Sequence, residues 1–554
     1  MLDRRFASED EVKGGSACCH VDEAVSLLVG RGGYKGMIKS GDRDGLRELA
    51  RLCPAGGLVV GSFKGGTVQV ATGDSHSMIV GCSGRGKTRR CIIPMVETMV
   101  LASHNIVVND MKAEVLGATG GLLSLMGYAV YVVDLRHPAR TPHTYNPLSA
   151  AWDSWAGGDK DGASRLLRNF ACTVFSNSAG AQGVDPFWEN SSIDYYTGLS
   201  LGMLEAGCTK GEFTLESVSA MDRASMGGRH SSTGLDKFFS HLKGTVAASS
   251  AAGTLGAPSD TKASILSVFR QALSIYCSQD GLMSALSKSS FDASVLAKEG
   301  TTIFLISPDE NSELAPIATA ILGQLMTQAI ALAEESDEAR ERPVDFVIDE
   351  FGNLAKRIPS FQEVVSACRS RGIKLHICVQ SDAQLDSVYG KDLKNVIVGN
   401  IYNQLFLGSR DPNYLKQLSD QLGEYMTPGG KTAPRMSHGQ LQRLEKRADE
   451  TEAVVLMEDL PPFVGVLPDY ETLSPSLPMT GLPKAAKRAS ADRRGKRPIF
   501  DVEAHVRKWE QEKVSGFASE AFARNDAFPS TRETSRSIEE IIARFSSESS
   551  GGAE

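Results

Sequence analysis

From about residue 65 onward, short apolar runs recur with polar, helix-type stretches between most of them. The runs are Ser77–Val80, Asn105–Val108, Ala129–Val133, Thr302–Ile306, Phe346–Ile348, Leu375–Val379 and Leu405–Leu407. Uninterrupted apolar runs of this length, alternating with helices, predict an α/β fold whose mostly parallel sheet is covered on both faces. Helical spacing is read in Val21–Val29, Tyr195–Leu204 and Ile265–Tyr276. Residues 186–299 hold few strand-like runs and several Ser- and Gly-rich breaks, so they predict an all-α domain inserted into the sheet-bearing one. The expected division is an N-terminal segment 1–60, a first sheet-bearing part 61–185, the all-α insertion 186–299, a second sheet-bearing part 300–470, and a partly disordered tail 471–554.

The most apolar helix candidate, Leu314–Ala333, is broken by Pro316, Gln324, Thr327 and Gln328 and reads as a buried helix, so no membrane span is expected. The chain has 554 residues, is 41% hydrophobic and 23% charged, and carries a formal net charge of -8. That length predicts two to four domains, and the acidic balance means any nucleic-acid partner must meet a local basic surface. Ten cysteines without a signal peptide favour a reduced, cytoplasmic chain, and Cys18-Cys19-His20 lacks a second ligand pair at zinc spacing. After Tyr470 the composition shifts. Lys484, Lys487, Arg488, Arg493, Arg494, Lys496 and Arg497 form a basic stretch, read either as a solvated linker or as a contact for nucleic acid or anionic lipid. Short helices are expected at Val502–Trp509 and at Ile538–Phe545, the latter with Ser537 and Glu540 as a capping box.

The chemistry begins at Gly81-Cys82-Ser83-Gly84-Arg85-Gly86-Lys87-Thr88, a complete phosphate-binding loop between a strand and a helix that runs on from Arg89 to Val100. Glycines let backbone N–H groups turn inward around β- and γ-phosphates, a lysine neutralises them, and a hydroxyl ligates Mg²⁺. Lys87 and Thr88 take those roles. The run Phe346-Val347-Ile348-Asp349-Glu350 ends a strand in two acids: Asp349 is expected on the metal and Glu350 on the attacking water. An ATP- and Mg²⁺-dependent phosphohydrolase follows. Gln380, ending the next strand, is read either as a γ-phosphate sensor or as a surface polar residue. Ser360 with Glu363 predicts a capping box for a helix stopped by Gly372, which places Arg369 and Arg371 near its end.

Smaller motifs add a likeness. Val107 to Glu114 carries Asp110-x-Lys112-x-Glu114; Asn146-Pro147-Leu148, Phe187-Trp188, Phe351-Gly352-Asn353-Leu354, Arg369-Ser370-Arg371-Gly372-Ile373 and Gln380-Ser381-Asp382-Ala383-Gln384-Leu385 follow in order. Over roughly residues 60 to 470 the chain resembles the type IV coupling proteins, ATPases that deliver substrates into conjugation and type IV secretion machines. The resemblance implies a RecA-like P-loop core with a helical insertion, a homo-hexamer, DNA with its relaxase as cargo, and a secretion channel as partner. It also implies that Arg369 of a neighbouring subunit completes the site; a helix-end arginine favoured by the dipole is the other reading. Family members commonly carry two transmembrane helices before the motor, so this chain is expected at the inner face of the cytoplasmic membrane through an anchoring partner. Met111 and Ala113 stand where the family motif usually has Pro and Gly. Two rival functions remain at this stage: a cytosolic DNA translocase for partition or packaging, and a nucleotide-gated docking adaptor without processive pumping.

Overall fold

The computed structural model of the chain describes residues 6–63, 67–175, 185–225, 233–308, 312–337, 342–354, 357–427, 430–477 and 497–523. Its strands are β1 (Ser16–His20), β2 (Val59–Phe63), β3 (Thr67–Ala71), β4 (Ser77–Gly81), β5 (Asn105–Asn109), β6 (Ala129–Asp134), β7 (Thr301–Ile306), β8 (Val344–Ile348), β9 (Ile373–Val379), β10 (Asn403–Gly408), β11 (Glu424–Met426), β12 (Thr432–Pro434), β13 (Glu450–Leu456) and β14 (Phe463–Pro468).

Every apolar run expected as a strand lies in one sheet, ordered β14-β13-β10-β4-β9-β8-β5-β7-β6. From β10 through β6 the neighbours pair in parallel, while β13 and β14 add an antiparallel edge. Burial on both faces explains the unbroken apolar character of the central strands. In β4, Met78 and Val80 point into one core and Ile79 into the other; in β10, Phe406 faces the first while Leu405 and Leu407 face the second. The period of two along each strand thus divides one apolar run between two cores.

The first core is shared with a helical body inserted between β6 and β7. It comprises helices Ser149–Ala156, Lys160–Phe175, Pro186–Glu205, Leu215–Arg223, Gly234–His241, Val246–Leu255, Ser259–Cys277 and Asp280–Leu286. The body begins well before residue 186, because Phe170 and Phe175 pack on Tyr196 at ring separations of 5.6 and 5.5 Å. Helix Pro186–Glu205 is its axis, and Gly198 lets helix Val246–Leu255 lie against it: a Cβ there would meet the Ala251 backbone nitrogen at 2.7 Å. The second core carries the N-terminal helices Val21–Gly30, Tyr34–Ser40 and Arg43–Leu52 together with the small sheet β1-β3-β2, so the segment before residue 60 packs on the sheet-bearing domain.

Helix Ala315–Glu335 is long and apolar enough to cross a membrane by composition, but 72% of its apolar window is buried inside the protein. It packs on helix Lys160–Phe175 and on β-sheet residues of the first core. Toward the C-terminus, the chain forms a helix over Val502–Ala523 that docks on the helical body. Trp509 lies 5.2 Å from the Phe238 ring, Arg497 pairs with Glu216 and Asp280, and the Phe500 amide donates to Ser217. Arg497 is therefore a paired residue of an interdomain seam. The rest of the basic stretch and the helix expected at Ile538–Phe545 lie outside the described residues.

One local expectation is corrected. Helix Phe361–Arg369 forms, but Ser360 adopts the left-handed region (φ 53°) and its hydroxyl caps nothing, while the Glu363 carboxylate accepts from the Gln362 amide. A capping box needs an extended cap residue to aim its oxygen at the third helical N–H. Gly372, at φ 67°, then turns the chain into β9.

Candidate functional site

Parallel strands bring their C-terminal ends to one edge, and that edge gathers the chemistry of this chain. The loop after β4 turns on Gly84 and Gly86, whose φ values of 77° and 88° suit glycine. The Cys82 amide donates to the Gly408 carbonyl at 3.0 Å, tying the loop to β10. Thr88 opens a short π-helical turn, Thr88–Ile92, that leads into helix Ile93–Leu101.

Lys87 is buried. Its ammonium donates to the Gly81 carbonyl at 2.9 Å and pairs with the Glu350 carboxylate at 3.1 Å. The other Glu350 oxygen accepts from the Gln380 amide at 2.9 Å, so Glu350 bridges the loop lysine and the end of β9. Glu350 holds this place in the left-handed conformation, φ 52° and ψ 50°, which costs a non-glycine residue on the order of 1 kcal/mol. Gln380 is fixed in turn through its backbone amide, which donates to Gln384 Oε1 at 2.9 Å.

Asp349 is 8% exposed. One carboxylate oxygen accepts from the Thr88 hydroxyl at 3.3 Å, and the other is buried without a hydrogen-bond partner. Burial pushes its carboxyl up to about 7, with the Glu350 and Asp110 carboxylates adding to the effect. A buried acid held among like charges with an orphaned oxygen is suited to a divalent cation, and Thr88 and Asp349 converge on one point as such a ligand pair would.

Lys87, Thr88, Asp349, Glu350 and Gln380 are thus brought together. Arg369 is not. It ends the helix that precedes β9, so it lies at the opposite edge of the sheet, roughly 20 Å of strand away from Gln380. There its guanidinium pairs with Glu458 at 2.9 Å and covers the Tyr402 ring at 5.1 Å.

The charged residues after β5 shape the neighbourhood. Asp110 is buried and accepts from the Leu116 amide at 2.9 Å, anchoring the start of helix Glu114–Met126; burial raises its carboxyl to about 6. Ala113 takes the left-handed conformation at φ 58°, supplying without glycine the turn this loop needs. Asn146 ties the turn after β6 to the helical body, donating to the Phe213 carbonyl at 2.8 Å and accepting from the Leu148 amide at 3.0 Å.

The open cavity above the loop measures about 460 Å³ and is lined by Cys82, Ser83, Gly84, Gly86, Lys87, Thr88, Lys112, Glu114 and Glu350. Arg89, Arg90, Lys446, Ala448 and Asp469 complete it, and sequence reasoning singled out none of these for the site. Asp469 follows the apolar run of β14 as a strand-end acid, the same signal that marks Asp349. Its two oxygens accept from Arg89 Nε and Nη2, each at 2.9 Å. Lys446 sits in a run of alternating charges and had no distinguishing signal.

The family described as "Type IV secretory system Conjugative DNA transfer" matches residues 34–459. No curated protein matches the sequence. Among solved structures, the chain is similar to the plasmid coupling protein TrwB in complex with the non-hydrolysable ATP analogue ADPNP: TM-score 0.55, 17% identity, covering 82% of this chain and 94% of that one. It is also similar to TrwB in complex with ADP and Mg²⁺, at TM-score 0.53 and 17% identity, covering 75% of this chain and 87% of that one. The unbound bacterial conjugative coupling protein TrwBdeltaN70 matches at TM-score 0.52 and 17% identity, over 75% of this chain and 87% of that one. These likenesses place the sheet and helical body in the same fold.

Proposed function

Because the chain belongs to the type IV secretory system conjugative DNA transfer family, we propose that it is an ATP-hydrolysing coupling protein that recruits a DNA–relaxase complex and drives it toward a type IV secretion channel. The observation that carries this reading is the convergence of Lys87, Thr88, Asp349, Glu350 and Gln380 at one sheet edge, with an unpartnered Asp349 oxygen beside the Thr88 hydroxyl. TrwB structures that carry ADPNP, and ADP with Mg²⁺, support nucleotide as the ligand.

Thr88 and Asp349 would hold Mg²⁺, which when bound neutralises charge on the β- and γ-phosphates. The protein's own residues do the rest. Lys87 exchanges its contact with Glu350 for phosphate oxygens, since one ammonium cannot serve both partners at full strength. That exchange frees one Glu350 oxygen to accept the proton of the attacking water, while Gln380 keeps the other oxygen oriented. Nucleotide binding would therefore arm the base.

Arg369, remote from its own loop, would enter the site of an adjacent subunit in a homo-hexameric ring by exchanging its Glu458 contact for that site. The helical body and the tail would read the cargo protein. Contact with the inner face of the cytoplasmic membrane would come through an anchoring partner. The test is ATP turnover by the purified chain with and without DNA, together with displacement of a protein roadblock from that DNA. Stimulated turnover with displacement supports a motor. Nucleotide binding with slow hydrolysis indifferent to DNA would replace this reading with a docking adaptor.

A further inference from the structure

A strap of chain between helix His438–Gln442 and β13 closes over the phosphate loop through three charged side chains. Arg85, inside the loop, donates to the carbonyls of Gln442 and Leu444 at 3.1 and 3.2 Å. Arg90, in the first turn after it, donates to those of Arg447 and Ala448 at 2.7 and 2.9 Å. Lys446 answers in the other direction, its ammonium donating to the Gly84 carbonyl at 2.6 Å. The strap is itself braced on β13: the Glu445 amide donates to Glu452 at 2.9 Å, the Glu452 amide returns to the Glu445 carbonyl at 2.8 Å, and Lys446 bridges Thr451. Lys446 is held on a firm base against the middle of the loop.

Charge gives this placement its meaning. The cavity's other cations are Lys87, already against Glu350; Arg89, against Asp469 and Glu471; Arg90, buried, with one terminal nitrogen on two carbonyls and its Nε 3.9 Å from Asp469; and Lys112. Arg447 beside it is occupied by Glu445 and Glu450. Lys446 lines the same cavity, is exposed, and among the described residues meets no carboxylate. A neutral carbonyl is a weak partner for an ammonium, and phosphoryl oxygens carrying developing charge are a strong one. Backbone amides of such a loop turn inward on phosphates, and Lys446 rests on the carbonyl of Gly84 within that loop while lining the same cavity.

Resting on the nucleotide reading above, we propose that Lys446 is a charge-stabilising finger supplied by the same chain, which leaves the Gly84 carbonyl for the oxygen bridging the β- and γ-phosphorus atoms as that bond breaks. In this step the water oxygen bonds to the γ-phosphorus, and the bond from that phosphorus to the bridging oxygen breaks. The electron pair stays on ADP, and the water proton passes to Glu350. Lys446 transfers no proton; its charge lies where negative charge grows.

The test uses the full chain and its Lys446→Ala and Lys446→Arg variants. For each, the Kd for Mg-ADP, the Kd for Mg-ADP with aluminium fluoride, kcat and KM are measured. The alanine variant is expected to bind Mg-ADP within about twofold of the parent while losing about 30- to 100-fold in affinity for the aluminium fluoride complex and in kcat, with KM little changed. The arginine variant is expected to recover most of both. Parallel loss of affinity for both complexes, or no change in either, makes Lys446 a pin on the loop and overturns the inference. A parent chain that binds neither complex overturns the nucleotide reading itself.

Discussion

Glu97 provides a test of the scaffold that carries the loop. It lies in helix Ile93–Leu101, directly after the loop's π turn, with a side chain fully buried. One oxygen accepts from the Ser474 hydroxyl at 2.8 Å and the other has no partner. Burial pushes its carboxyl from 4.5 up to about 8. The native state thus holds a proton that the unfolded chain has released, so stability falls as pH rises from about 4.5 to about 8 and is level outside that window. At about 1.4 kcal/mol per pH unit, the penalty at pH 7 is about 3 kcal/mol. Glu97→Gln keeps the shape and an oxygen for Ser474 while removing the ionisation. Urea unfolding of both proteins at pH 4.5, 7 and 8 should show nearly equal midpoints at pH 4.5 and a more stable glutamine variant at pH 7 and 8. The reasoning fails if the gap is the same at all three values, or if glutamine is the less stable form at pH 8.

Three further outcomes are expected. Asp345, fully buried at the start of β8, accepts from His104 at 2.7 Å and His376 at 2.8 Å. Burial alone would raise its carboxyl, but the two imidazoles override it and hold it well below the usual range. Asp345→Asn should cost about 3 kcal/mol or more in unfolding free energy, and a change under about 0.5 kcal/mol would refute a charged role. Trp509→Ala should release the C-terminal helix from Phe238 at a cost of about 3 kcal/mol, read as faster proteolysis within residues 497–523 with the sheet core intact; unaltered cleavage would show that the aromatic contact does not hold the helix. Arg369→Ala should abolish turnover and regain part of it when mixed with Glu350→Ala chains, because the two defects would fall on opposite sides of a shared site. Absence of rescue at every mixing ratio counts against a role in trans.

Much of the architecture was legible because burial on both faces leaves unbroken apolar runs, and each run so identified is a strand of the central sheet. The antiparallel strands β13 and β14 were missed: β13 reads Glu450-Thr451-Glu452-Ala453-Val454-Val455-Leu456, and two half-buried acids shorten its apolar run although Val454 faces the first core and Ala453 and Val455 the second. The start of the helical body was also hidden, since helix Lys160–Phe175 mixes charged and apolar residues as any surface helix does, and only its partner Tyr196 reveals which body it joins. Within the site, the loop and the strand-end acids were legible from spacing. The capping box at Ser360 was not realised, because a left-handed φ at the cap redirects the hydroxyl. Lys446 could not be found from the sequence, because its meaning lies in a contact with Gly84 across 362 positions.

The central claim is that the amides of residues 81–88 and the acids after β8 grip a magnesium nucleotide. Calorimetric titration of Mg-ADPNP into the parent chain and into Lys87→Ala tests it most directly. The parent should bind saturably in the micromolar range, on the order of -8 kcal/mol. Lys87→Ala should keep its circular dichroism spectrum and lose at least about tenfold in affinity. Equal binding by both, or none by the parent, would contradict the account.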